Sequence, residues 1–435
     1  MRAADGGGAG EAIDPARLFA RWRGEGALAV AVSGGADSLA LMLLAARWRD
    51  GGGAPRLIVL SLDHGLRPEA AAEVAMVGRI AASLGLAFQP LKADALLPSS
   101  DIEAAARAMR YRLLGAAARA AGASVVMTAH HADDQAETVM LRLARGSGIY
   151  GLAGMEAETE RDGLRVARPL LALRRADLRA IVARAGFEPV ADPHNEDARF
   201  ARARMRALMP RLAAEGVDTP RLVATAARFR SAALAIDSYV DRLFASDATV
   251  DEAGGVRLDV AALVAEPEET RLRAVSRILR AVGGSAYPPR LGGLGALVAA
   301  MADDSTPLKR TIAGVVVDRR KGLFRFQREA GRDGLPDIAV AGGFAGVWDG
   351  RFAVNIAGAP SGVRLAALGG EGRRLVASCV PDALPLALAA TPALFGPDGL
   401  IAAPLLGLAP PAGITFAAPS ILKDRLLDRG RSDDL

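Results

Sequence analysis

The sequence has little cysteine and little lysine. Cys379 is the single cysteine among 435 residues. One cysteine cannot form an intramolecular disulfide, a CxxC metal site or a cysteine-ligated iron–sulfur cluster, so these are excluded. The same usage predicts a reducing compartment. Arginine supplies almost all of the positive charge, since only four residues are lysines and the net charge is +5.

Long hydrophobic runs are also missing. No apolar run reaches the roughly 18 to 20 uninterrupted residues that a membrane-spanning helix needs. The first residues, MRAADGGGAGEAIDPARL, have no apolar core of the kind found in signal peptides, and we expect a flexible lead over residues 1–24. The sequence therefore predicts a cytoplasmic protein without a membrane partner. Its length and its 51% hydrophobic content predict two or three domains.

Short apolar runs and helical patterns alternate in the first third of the chain. The predicted strands are 27–32, 57–62, 87–91 and 124–128, and the predicted helices are 38–49, 68–84, 101–121 and 133–143. Alternation of this kind is typical of βαβ units, which build a parallel sheet covered by helices. Such sheets bind ligands beyond the carboxyl ends of their strands. We expect an α/β catalytic domain over residues 25–216.

The rest of the chain predicts two further domains. Helical patterns at 219–244 and 268–282, followed by a hairpin of strands 311–318 and 323–327, predict a mostly helical domain over 217–330. A glycine-rich stretch then precedes a second hairpin near 347–354. We expect a small mixed α+β C-terminal domain over residues 345–435.

Residues 33–38, SGGADS, lie between the apolar run ALAVAV and a longer apolar helix. Glycines allow positive φ and close approach of an anion to backbone N–H groups, and a helix N-terminus adds partial positive charge. The pattern predicts a phosphate-binding loop. It is neither a Walker A loop nor GxGxxG. The alternative is a tight strand-to-helix turn in which Asp37 or Ser38 caps the helix.

In this setting SGGADS resembles the loop of the PP-loop ATP pyrophosphatases, which cleave ATP to AMP and pyrophosphate. The resemblance implies an ATP site formed by Ser33, Gly34, Gly35, Ala36, Asp37 and Ser38. It also implies that Asp37 holds Mg²⁺. A divalent cation is chemically reasonable there, because a carboxylate and a polyphosphate repel each other without one.

Five more motifs follow in order. They are LDHGLR (62–67), EAAARAMRYRLL (103–114), TAHHADDQAETVMLRLARGSGIYGLAGM (128–155), RPLL (168–171) and DPHNEDARFARARMR (192–206). Together they resemble the tRNA(Ile)-lysidine synthetase family, and residues 380–407 are similar to the C-terminal domain of its longer members. The family adenylates C2–O of the wobble cytidine in the CAU anticodon of an isoleucine tRNA. Free L-lysine then displaces AMP, giving lysidine.

The resemblance implies roles for the motif residues. Asp63 and His64 would contact the nucleotide, and Arg107 and Arg110 the α-phosphate or the cytidine. Asp133, Asp134 and Glu137 are candidates for holding and deprotonating the lysine ammonium. The other candidate substrate-binding residues are Glu103, Tyr111, His130 and His131, with Arg199, Arg202, Arg204 and Arg206 for tRNA phosphates. A homodimer is left open.

Alternatives remain for several of these patterns. His130 to Asp134 also fit an exposed helix start, whereas a zinc site would need a third ligand. The 161–230 segment, with 15 arginines, eight acidic residues and a net charge of +7, also fits a solvated helical face. A tRNA thiolase on the same loop would need catalytic or cluster-binding cysteines, which one isolated cysteine cannot supply. GMP and NAD synthetases lack the HHADD run, and an inert tRNA-binding protein would not need SGGADS.

Overall fold

The computed structural model describes most of the chain. The described residues are 13–63, 65, 69–93, 102–161, 164–190, 199–285, 288–330, 334–370 and 382–427, with the side chains of 102–106 and 161 left out. The chain divides into two compact units, Met1–Ala232 and Ala233–Ser432. In the described part, none of the helices is both long and apolar enough to pass through a membrane.

The first unit is built on a six-stranded sheet in the order β3-β2-β1-β4-β6-β5. Its strands are β1 Ala27–Ala31, β2 Arg56–Asp63, β3 Ala87–Lys92, β4 Val125–Met127, β5 Glu158–Arg161 and β6 Leu164–Ala167. All neighbours pair in parallel except β5 with β6. β1 is central and almost fully buried, since helices cover both faces of a parallel sheet.

The helices of this unit lie before, between and after the strands. They are α1 Pro15–Leu18, α2 Ala36–Asp50, α3 Ala70–Ser83, α4 Ile102–Ala120, α5 Ala132–Ala144, α6 Ile149–Leu152, α7 Arg175–Arg184, α8 Ala201–Ala214 and the start of α9 Thr219–Asp247. Leu39 to Ala46 of α2 are all buried, because α2 packs against the sheet and α7. The predicted α/β fold with a parallel sheet is confirmed.

The expected flexible lead is corrected in its second half. Phe19 is fully buried and stacks on Trp48, with ring centroids 5.0 Å apart. Trp22 is also buried, and its Nε1 donates to Glu158 Oε2 at 2.7 Å. Two large aromatic rings add enough apolar surface to anchor residues 13–24 to the core. Residues 1–12 lie outside the described part.

The second unit begins with more β-structure than its sequence pattern indicates. A five-stranded antiparallel sheet has the order β7-β8-β11-β10-β9. The strands are β7 Ala248–Val250, β8 Val256–Asp259, β9 Lys309–Ile312, β10 Val315–Arg320 and β11 Leu323–Arg328, with helices α10 Val260–Ala265, α11 Glu268–Gly283 and α12 Leu291–Ala302. The predicted single strand 311–318 is two strands, because Ala313 and Gly314 take φ of 50° and 71° and turn the chain.

The C-terminal part contains two small sheets. One has the order β12-β15-β16-β17 and the other β13-β14-β18. The elements are β12 Ile338–Ala339, β13 Gly343–Trp348, β14 Phe352–Ala357, β15 Arg364–Ala367, α13 Pro385–Ala389, β16 Pro392–Gly396, β17 Gly399–Ala402, β18 Thr415–Ala417 and α14 Leu422–Leu427. The hairpin expected near 347–354 is present and longer, and the mixed α+β character is confirmed.

Candidate active site

The candidate site lies where the strand order of the first unit reverses. From β1 the chain moves to β2 and β3 on one side and later to β4 and β6 on the other. The carboxyl ends of β1 and β4 are therefore neighbours, and loops that leave them diverge around a crevice. Residues 33–38 follow β1, and residues 128–131 follow β4. The fold thus brings two distant motifs to one place.

The loop after β1 has the geometry of an anion cradle. Gly34 takes φ of 88°, which favours glycine, and its carbonyl accepts from the Val190 N–H at 3.0 Å. Ser38 Oγ donates to the Gly35 carbonyl at 3.0 Å and accepts from the Ser33 N–H at 3.1 Å. Gly35 is the N-cap of α2 and supplies no side-chain cap. Within the part of the chain that the structure describes, no side chain caps the first turn of α2, so its N–H groups can bind an anion. The alternative cap by Asp37 or Ser38 is wrong, because the N-cap is Gly35.

His131 links the two motifs. Its ring is fully buried, and Nδ1 accepts from the N–H groups of Asp133 and Asp134 at 3.2 and 3.3 Å, capping α5. In a neutral ring the proton is then on Nε2. Nε2 lies 3.4 Å from Asp37 Oδ2 and 3.5 Å from Asp134 Oδ2. The cap therefore aims a donor at two carboxylates, and α5 does not begin in solvent.

His130 points elsewhere. Its Nδ1 lies 2.9 Å from Thr128 Oγ1. Burial lowers the pKa of His130 well below its usual value, and the positive charges of Arg168, Arg202 and Arg107 lower that pKa further. The ring is therefore neutral at pH 7, and it can donate or accept one hydrogen bond without adding charge to the crevice.

The three acidic residues of α5 have different environments. Asp133 accepts from the Arg175 N–H at 2.8 Å, from Thr219 Oγ1 at 2.9 Å and from the Arg174 guanidinium at 3.1 Å. Burial alone would raise the pKa of Asp133, but these hydrogen bonds outweigh it and the pKa lies below its usual value. A carboxylate with this many donors is a weak base. It ties the N-termini of α5, α7 and α9 together.

Glu137 is bound by two of the arginines expected to contact tRNA. Its side chain is 2% exposed, and its oxygens accept from Arg202 Nε at 3.0 Å and Arg206 Nε at 2.8 Å. Arg202 Nη2 also lies 3.4 Å from Asp134 Oδ1. The structure thus places residues predicted for lysine and for tRNA in one ion-pair cluster. Glu137 positions α8 against α5, and both of its oxygens already have cationic partners.

The four arginines of the last motif separate into two pairs. Arg202 and Arg206 face Glu137, whereas Arg199, which precedes α8, and Arg204 of α8 are exposed. Arg204 Nη1 donates to the Arg199 carbonyl at 2.7 Å. Residues 192–198 of this motif lie outside the described part.

The α4 residues do not share one environment. Tyr111 is 7% exposed and packs in the core beneath the sheet, so its ring is not a binding surface. The Arg107 guanidinium lies over that ring at 5.2 Å, and Arg110 is exposed. At the end of β2, Asp63 Oδ1 accepts from the Gly65 N–H at 2.8 Å. His64 and the Glu103 side chain lie outside the described part.

Three side chains that hold the loop after α5 were not predicted. Gln135 bonds both backbone groups of Met155, at 2.8 and 2.6 Å. Buried Arg142 donates to the carbonyls of Gly151 and Gly154, and Arg230 donates to that of Met155 at 2.6 Å. The only sequence signal for these contacts was the seven-residue spacing of Gln135 and Arg142 on a helix that precedes a glycine-rich stretch.

Asp37 suits a metal that carries phosphate. Its Oδ1 is buried and has no hydrogen-bond partner among the described residues, which leaves a lone pair for a cation. Although burial alone would raise the pKa of Asp37, His131, Arg175 and Arg179 keep it below its usual value, so the group is anionic. No three His, Cys, Asp or Glu side chains of the described residues form a metal cage. Mg²⁺ commonly binds one or two carboxylates and completes its shell with phosphates and water, and this donor set fits that pattern.

Comparisons with known proteins agree with the geometry. The family description "PP-loop domain" matches residues 12–212. A tRNA(Ile)-lysidine synthase of Rhodopseudomonas palustris is 47% identical over 70% of this chain and 91% of its own length. One of a Bradyrhizobium species is 46% identical over 72% of this chain and 93% of its own length. One of Ruegeria pomeroyi is 36% identical over 88% of this chain and 89% of its own length.

Proposed function

The chain belongs to the tRNA(Ile)-lysidine synthase family, and from this premise we propose that it joins free L-lysine to C2 of the wobble cytidine in the CAU anticodon of an isoleucine tRNA. The reaction consumes ATP and releases AMP and pyrophosphate. The observation that carries the proposal is the meeting of the SGGADS loop with the start of α5, where Nε2 of His131 lies within 3.5 Å of both Asp37 and Asp134. We place the enzyme in the cytoplasm.

The first step needs ATP held with its α-phosphorus facing the base. The N–H groups at the start of α2 and the loop around Gly34 would bind the phosphates, and Asp37 would hold an Mg²⁺ that neutralises their charge. Asp63, at the end of β2, lies on the side of the sheet where the adenosine would extend. The C2 oxygen of cytidine attacks the α-phosphorus and pyrophosphate leaves. Positioning and charge neutralisation supply the catalysis.

The cytidine must leave its stack to reach the phosphate. Neutral His130 can hydrogen-bond the base, and Arg107 and Arg110 are the α4 cations that would face the α-phosphate. Adenylation turns the C2 oxygen, which is a poor leaving group, into part of AMP, which is a good one. The lysine amine then forms a bond to C2, the C2–O bond breaks, and the former C2 oxygen leaves as part of AMP.

Among the carboxylates, Asp134 is our candidate for binding and deprotonating the lysine amine. Asp133 is surrounded by donors, and Glu137 is buried under two arginines. The side chain of Asp134 is 14% exposed, at the edge of the crevice. Asp133 and Glu137 then position α5, and His131 orients Asp134 and Asp37.

The test is incorporation of labelled lysine into a bulk bacterial tRNA pool in the presence of ATP. We expect label only in the isoleucine species with a CAU anticodon, with one AMP and one pyrophosphate per lysidine. Asp134→Asn should lose incorporation while ATP binding persists, and Asp177→Asn, at the start of α7, serves as the control. No label with wild-type enzyme would refute the function. Light scattering after size-exclusion chromatography tests the homodimer.

A further inference from the structure

A shallow groove lies between the last turns of α5 and the first half of α8, outside the carboxylate cluster. We call it the α5/α8 groove, and it encloses about 310 Å³. Its floor is apolar and its rim carries two arginines; the lining residues are Leu141, Ala144, Ala201, Met205, Leu208, Arg145 and Arg204. From its shape and charge we infer that this groove binds an unstacked nucleobase of the tRNA anticodon loop next to the reacting cytidine. The inference rests on the proposed function.

The floor exposes apolar surface that the fold itself does not cover. Leu208 is 41% exposed in the middle of a helix, in a protein whose surface is otherwise rich in arginine. Apolar surface rimmed by polar groups is typical of a binding site. A nucleobase suits it because both of its flat faces are apolar and every base has such a face.

The rim fits the phosphates that flank a base. Arg145 follows α5 and Arg204 projects from α8, and both are exposed. No acidic side chain is found among the described residues that line the groove. Two guanidinium groups beside an apolar floor match the charge of a nucleotide, whose base is neutral and whose phosphate is anionic.

The groove continues the face of α5 that carries the chemistry. Asp134, Glu137, Leu141 and Ala144 recur at three- and four-residue spacing, so they share the face packed against α8. Asp134 and Ala144 are about 15 Å apart along the helix axis. A few nucleotides of an opened loop span that length. On α8, Arg202 and Arg206 face the carboxylates while Arg204 and Leu208 face the groove.

The experiment uses full-length tRNA with 2-aminopurine at each anticodon-loop position in turn. Binding to wild-type enzyme should change the fluorescence at one position beside the cytidine, and Leu208→Gln should abolish that change. Covering Leu208 is worth about 1 kcal/mol, so this variant should raise KM for tRNA about fivefold and leave KM for ATP unchanged. Arg204→Gln should raise KM for tRNA and reduce the salt slope by about 0.7, the value of one single-strand phosphate contact.

Matched controls lie on neighbouring helices. Leu143→Gln replaces a leucine of α5 that is 52% exposed but does not line the groove, and Arg184→Gln replaces an exposed arginine of α7. Equal effects of the groove variants and the controls would overturn the inference. So would a changed oligomeric state in Leu208→Gln, which would assign the groove to a second copy of the chain.

The fluorescence readout needs no turnover, so the two proposals fail separately. A wild-type enzyme that makes no lysidine refutes the function. A wild-type enzyme that makes lysidine, with a loop signal that does not depend on Leu208, refutes the groove alone.

Discussion

The ion pairs of Glu137 allow a quantitative prediction of how much Arg206 stabilises the fold. Glu137 is 2% exposed, and three hydrogen bonds from two arginines balance its charge. Arg206 supplies two of the three, at 2.8 and 3.3 Å. The change Arg206→Ala therefore leaves a buried carboxylate with one partner.

The expected cost follows from the asymmetry between the partners. Breaking a fully buried ion pair costs about 3–5 kcal/mol, because one charge stays buried alone. Arg202 remains and Arg206 is 30% exposed, so we expect about 2 kcal/mol for Arg206→Ala. The double variant Arg202→Ala with Arg206→Ala should lose the full amount of about 3–5 kcal/mol of stability, which is what breaking a fully buried ion pair costs. For a unit of this size, 2 kcal/mol lowers Tm by about 4–8 °C.

Neutralising the carboxylate should reverse part of this loss. Adding Glu137→Gln to the double variant should raise Tm by several degrees, because an amide does not need a cationic partner. Glu137→Gln alone should cost less than Arg206→Ala, since the two arginines are partly solvated. A Tm that falls further in the triple variant would contradict the reasoning.

Differential scanning calorimetry is the assay, because it separates transitions of the two compact units if they melt independently. Arg204→Ala is the matched control. Its arginine lies on the same helix but is exposed, and the change should stay within about 0.5 kcal/mol. Equal Tm values for Arg206→Ala and Arg204→Ala would show that the Glu137 ion pairs do not stabilise the fold.

Three further predictions concern the crevice. Gly34→Ala should cost about 1–2 kcal/mol of stability, because φ is 88° at this position and a Cβ would lie 3.2 Å from Met76. Calorimetric titration should show ATP binding weakened at least about tenfold. The control is Gly52→Ala, at φ of 72° with open space around it, which should keep its ATP affinity. Because the pKa of His130 is lowered in the folded state, the unfolded chain binds the proton more readily, and the stability of the fold should decrease as pH drops below about 6.5. The variant His130→Gln should reduce the dependence of stability on pH by up to about 1.4 kcal/mol per pH unit between about pH 5 and 7. An unchanged dependence would refute this prediction. Asp37→Asn should abolish the increase in ATP affinity that Mg²⁺ produces in the wild type. ATP binding without metal should stay equal or become tighter, because the carboxylate no longer repels the phosphates. If titrations with and without chelator still show the Mg²⁺ effect in this variant, the metal binds elsewhere.

Local sequence was enough for much of the fold and for the loop. The residues from Ala27 to Ser38 determine their local structure by themselves: small apolar residues favour a central strand, glycines allow positive φ, and the helix start exposes N–H groups. The opposite directions of His130 and His131 also follow from adjacency. These features depend on neighbours in the chain, which a pattern records.

Tertiary structure alone decided which polar residues meet and which become buried. Glu137 is paired with arginines about 65 positions later, and Asp133 with Thr219, 86 positions away. Phe19 is anchored by Trp48, and Tyr111 packs into the core, although both lie in segments that pattern alone assigned to other roles. β7 and β8 have three and four residues, too few to show a period. A charge's partners and a ring's burial depend on surfaces brought together by the whole fold, and the residues beside them in sequence do not determine these contacts.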